Sequence, residues 1–102
     1  MKVFKFGGAS VKDAAGVRNV AELLQSVGYD NTCMIVSAMG KTTNALEEVV
    51  KRYFENEDFE KTINAVKLQH LDLAKELFEN ADEVSNEISQ FFDDIISFLR
   101  RN

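Results

Sequence analysis

Apolar and polar positions along this chain follow two periods. Lys2 to Phe6 reads KVFKF, a short run of strand-forming residues ended by Gly7 and Gly8. From about Asp13 to Val27 the apolar residues Val17, Val20, Leu24 and Val27 step by three and four, which places them on one helix face. Gly28 follows, where a helix C-terminus favours a left-handed residue. The stretch NTCMIVSA then carries an unbroken apolar run from Cys33 to Val36. Such a run predicts a parallel strand covered on both faces. Strand, helix and strand in this order predict a right-handed βαβ unit.

After SAMGKTTN the period becomes helical and stays so. Asn44 and Glu47 read as a capping pair ahead of Leu46, Val49, Val50, Tyr53 and Phe54. ENED breaks the pattern. Phe59, Ile63, Val66, Leu73 and Leu77 define a further helix from Asp58, with His70 in one slot of the stripe. Val84, Ile88, Phe91, Ile95 and Leu99 define a last one from about Asp82. No strand pattern recurs, so the prediction is two strands and a surplus of helix.

A chain of 102 residues is one small domain, and 45% apolar residues can supply its core. No prolines and five glycines argue against linkers. A net charge of −5 lacks the basic footprint of a nucleic-acid binder. No stretch approaches the roughly 20 apolar residues of a membrane span, and no signal-like segment opens the chain. A soluble, cytoplasmic protein is expected. Cys33, the single cysteine, is expected to be a buried, inert thiol. His70 reads as a half-buried structural residue, and the phenylalanines at helical spacing as core or interface.

Two loops carry the candidate chemistry. Lys5, Gly7 and Gly8 lie between a strand and a helix. Bare amides and a helix start suit an anion, and lysine adds a mobile cation; a tight turn with a surface lysine is the plainer alternative. The second loop holds Ser37, Lys41, Thr42, Thr43 and Asn44. Its GKT resembles the end of a Walker A loop, but that pattern needs a glycine five positions before Gly40, where Ile35 stands. Parallel strands end on the same side, so both loops fall on the sheet edge where open α/β proteins bind ligands. Helix capping alone would also account for the threonines and asparagine.

Taken together, VFKFGGASV and VSAMGKTTN resemble the opening of aspartate kinases, in the amino-acid kinase superfamily. The close likeness covers roughly residues 1–50. It implies an α/β fold: the N-terminal βαβ portion of a three-layer αβα amino-acid kinase domain (residues 1–55), then a helical segment (56–102). It implies phosphorylation of the aspartate side-chain carboxylate by ATP with Mg2+, the first step of aspartate-family amino-acid biosynthesis. By the same likeness Lys5 binds ATP phosphates and stabilises the transferring group. Gly7 and Gly8 form the backbone cradle with Ser10 beside them, and Ser37 and Thr43 contact aspartate. Ala9 stands where the family usually has threonine, so one hydroxyl is lost. The family's nucleotide-binding half lies downstream, so the expectation is an N-terminal fragment, inactive alone. Unpaired strand edges and excess apolar helix surface predict self-association. Two alternatives remain open: a stand-alone helical interaction module, and a kinase of another carboxylate such as glutamate.

Overall fold

The computed structural model describes residues 1–101. The elements run β1 (Lys2–Phe6), α1 (Ala14–Val27), β2 (Thr32–Val36), α2 (Thr42–Phe54), α3 (Glu60–Leu77) and α4 (Asp82–Arg101). They fall into two units, Met1–Lys41 and the helices from Thr42 onward. The class is α/β, with a βαβ start and a parallel sheet of two strands among the described residues.

In the first unit β1 and β2 pair in parallel, from Lys2 opposite Thr32 to Phe6 opposite Val36. Asp13 is extended and caps α1, its carboxylate accepting the Gly16 amide at 2.8 Å. At the other end the Lys2 ammonium donates to the Val27 carbonyl at 3.1 Å. A cation there complements the negative end of the helix. Gly28 closes the helix at φ 85°, but its ψ of 148° is extended, not left-handed helical. Glycine alone adopts that combination freely. Phe6, Val11 and Ala14 are buried, and Phe4 stacks on Phe6 at 6.3 Å.

Successive strand residues point to opposite faces. Phe4 and Phe6 share one face, whereas Val3, Lys5, Cys33 and Ile35 share the other, and all four of these are exposed. The expectations of a strand covered on both faces and of a buried Cys33 are therefore corrected: β2 is exposed from Cys33 to Val36. One helix follows β1: it leaves the Cys33 and Ile35 face open, and on the other face Met34 and Val36 are also about half exposed.

In the second unit Val49 of α2, Ile63 of α3 and Ile96 of α4 form the core, with Phe59, Phe92 and Leu99 packed around them. The Asp58 carboxylate accepts the Glu60 amide and the Asn80 side chain accepts the Asp82 amide, satisfying orphan donors where α3 and α4 begin. α2 starts at Thr42, two residues before the expected cap, so Asn44 lies inside its first turn. Gly40, at φ 53°, turns the chain early enough for that.

The buried face of α4 also differs from the expected stripe. Ile96 is 8% exposed whereas Phe91 is 69% and Ile95 41% exposed. Its apolar residues, Val84, Ile88, Phe91, Phe92, Ile95, Ile96, Phe98 and Leu99, form one broad arc opposite a polar face, and the arc is wider than α3 alone covers. Packing against α3 selects Phe92, Ile96 and Leu99. Two ion pairs tie these helices: Lys67 to Asp93 at 3.0 Å, and Arg100 to Glu60 through two bonds of 2.6 and 2.9 Å. The Arg100 hydrogen bond holds the Glu60 carboxyl below the usual carboxylate range. His70 is half-buried, as expected, with Nδ1 2.8 Å from the Val66 carbonyl and its ring against Phe92. No helix among the described residues is long and apolar enough to cross a membrane.

Candidate functional site

The first unit places Lys5, Gly7, Gly8, Ser10 and Ser37 at one end of the sheet. Parallel pairing carries β1 and β2 to the same edge. The pairing runs one step beyond the strands, the Ser37 amide donating to the Phe6 carbonyl at 3.0 Å. Gly8 then passes close to the second loop, where a Cβ on it would lie 3.8 Å from the Ala38 carbonyl oxygen. The two loops are therefore neighbours in space as well as on one edge. Thr43 lies in the second unit, exposed in the first turn of α2. It follows the buried Thr42.

The glycine loop folds into two overlapping turns, Ser10 amide to Gly7 carbonyl at 3.0 Å and Val11 amide to Gly8 carbonyl at 3.3 Å. The amides of Gly8 and Ala9 make no hydrogen bond among the described residues. They are the donors that an anion could use, and both belong to backbone, so Ala9 costs the cradle nothing. Lys5 is exposed two residues before Gly7.

The helix start contributes less than its position suggested. Asp13 already places a carboxylate at the N-terminus of α1 and binds the Gly16 amide. A like charge there opposes a second anion, so the partial positive end of α1 is in use. What the loop itself offers an anion is the pair of amides of Gly8 and Ala9. A cleft between the loop and α1 is lined by Phe6, Ser10, Lys12, Asp13, Gly16 and Asn19, among others. Lys5 is not among them, and strand alternation puts it on the opposite face from Phe6. Lys5 is therefore not part of this cleft.

For Mg2+, no group of three or more histidine, cysteine or acidic side chains gathers among the described residues. The glycine loop leaves two backbone amides open, and the described residues hold no metal-binding cluster. Sequence reasoning passed over two residues that shape the loop, Asp13 as cap and Gly16 beneath the Ser10 carbonyl. A glycine inside a helical pattern was the available signal for the second.

No family model matches the chain. Aspartokinase 2, chloroplastic, of Arabidopsis thaliana is 38% identical over 79 residues, which is 74% of this chain and 14% of that protein. Aspartokinase 1, chloroplastic, of the same plant is 35% identical over 79 residues, with the same shares. A bifunctional aspartokinase/homoserine dehydrogenase, chloroplastic, of Daucus carota is 27% identical over 96 residues, 93% of this chain and 10% of that protein. Three quarters or so of this chain thus has its homologues among the aspartokinases, of whose length it spans about one seventh.

Proposed function

We propose that this chain is the N-terminal phosphate- and substrate-binding segment of an aspartate kinase catalytic domain. The complete enzyme transfers the γ-phosphoryl group of ATP to the side-chain carboxylate of aspartate. One observation carries this reading. The glycine loop with its free amides and the serine-bearing loop are held side by side, by the Ser37–Phe6 hydrogen bond and the Gly8–Ala38 approach. Aspartokinase relatives support the choice of acceptor, and aspartate is preferred over glutamate on that ground.

The roles follow from the groups present. The Gly8 and Ala9 amides, reached through the bare backbone of Gly7 and Gly8, bind phosphate oxygens, with the Ser10 hydroxyl beside them. The Lys5 ammonium binds the same oxygens and follows the charge that develops as the carboxylate oxygen bonds to phosphorus and the bond to ADP breaks. Ser37 and Thr43 donate hydroxyl hydrogen bonds that orient aspartate. Mg2+ accompanies ATP and takes its ligands from the phosphates and from parts of the enzyme outside this chain. ATP and aspartate are the partners, and self-association and a cytoplasmic location belong to the proposal. The named relatives are chloroplastic.

The test is Lys5→Ala in the complete kinase. Losing one electrostatic contact to the reacting group lowers kcat on the order of 10²–10³-fold, while the KM for aspartate stays near wild type. A variant with near wild-type kcat removes Lys5 from the mechanism. The 102-residue chain alone gives no aspartate-dependent ADP release, and turnover above background overturns the segment reading.

A further inference from the structure

Gly16 is a poor residue for its place. It lies in α1, where glycine is less favourable than every residue but proline. Positive φ does not explain it, since Gly28 and Gly40 are the glycines with that conformation. What does explain it is a close approach. A Cβ on Gly16 would lie 2.5 Å from the Ser10 carbonyl oxygen and 3.2 Å from the Ser10 carbonyl carbon. It would also lie 3.3 Å from the Asp13 carboxylate that binds the Gly16 amide. Two of these neighbours are backbone and cannot swing aside as the end of a flexible side chain does.

We propose that Gly16 is a positioning residue for the phosphate loop, a role that rests on the kinase reading given above. Its bare Cα lets the Ser10 carbonyl settle on the first turn of α1. Ser10 is the far end of the turn whose near end is Gly7. Where Ser10 rests therefore sets the direction of the Gly8 and Ala9 amides between them. Asp13 holds the underside of the contact by fixing the Gly16 amide. A side chain at position 16 lifts the loop from the helix and turns both donors away from the phosphates. Aspartate contacts in the second loop are untouched.

The experiment is Gly16→Ala, measured in two ways. In the complete kinase kcat/KM for ATP falls on the order of 10²-fold, the usual cost of misplacing a reacting group by about an ångström. The KM for aspartate stays within about twofold. In the 102-residue chain the melting temperature falls, against the rise that alanine brings at a helix position free of contacts. Ala21→Gly, at an exposed position of the same helix, is the control: it lowers the melting temperature and leaves ATP kinetics alone. A rise in melting temperature for Gly16→Ala overturns the contact. Unchanged ATP kinetics, or an equal loss with Ala21→Gly, overturns the positioning role. Lys5→Ala in the same assays separates the two ideas. If it too leaves kcat intact, the kinase site itself is wrong; if it alone is impaired, only the role of Gly16 is lost.

Discussion

Ile63 is wholly enclosed, at 0% exposure, between Val49 of α2 and Ile96 of α4. Ile63→Ala removes three carbons from that point. At about 0.8 kcal/mol per buried methylene the lost transfer energy is about 2.4 kcal/mol. A residual void on the order of 50 Å³, at about 24 cal/mol per Å³, adds about 1 kcal/mol. Phe59, Phe92 and Leu99 are only partly buried around the site. They can move inward, so the void stays small and the expected loss is about 3 kcal/mol. A small domain has only about 5–15 kcal/mol of stability in all, so the loss is a large share of it. Urea titration followed by circular dichroism at helical wavelengths reads it directly, because the three helices of this unit supply most of the signal. The midpoint should fall with the slope unchanged. Phe91→Ala, on the exposed side of α4, should cost no more than about 0.5 kcal/mol. A loss below about 1 kcal/mol for Ile63→Ala would refute a core closed at Ile63. A Phe91 cost equal to it would mean that α4 docks by its other face.

Thr43→Val in the complete kinase should raise the KM for aspartate and leave that for ATP unchanged, because an unpaired substrate group costs about 1–3 kcal/mol; a selective ATP effect moves Thr43 to the nucleotide. Glu60→Gln removes the partner of Arg100. The wild-type carboxyl titrates below its unfolded value, so its contribution is complete above the ordinary carboxylate range and disappears as pH falls through the lowered pKa. The difference in melting temperature between wild type and variant, small for an exposed pair, should therefore vanish on acidification. A difference that persists in strong acid contradicts the ion pair as its source. Cys33 should react with a thiol reagent in the dilute native chain, since its sheet face is open; labelling only after unfolding means that the face is covered. Light scattering after size exclusion should show the chain associating as its concentration rises, and a monomer throughout would mean that its apolar surface needs no partner.

Local pattern settled the elements, because it depends on neighbours in sequence. KVFKF became β1 at the residues expected, Asp13 sits at the head of α1, and α3 and α4 begin within a residue or two of the predicted places. The adjacency of the two loops was legible too, since parallel strands must end on one edge. Burial was not. CMIV reads as a strand enclosed on both sides, yet enclosure depends on how many elements pack against it, and one helix leaves the Lys5, Cys33 and Ile35 face open. The stripe on α4 was misplaced for a related reason. A helix whose apolar arc is broader than one neighbour can cover does not state which side of that arc will be buried, and α3 takes the side of Ile96. The state of the α1 terminus and the contact at Gly16 belong to the same class. A sequence states that an aspartate precedes a helix and that a glycine lies within it. Only the path of the chain decides that the aspartate uses up the helix end and that the glycine makes room for Ser10, because both depend on distances between atoms that sequence spacing does not determine.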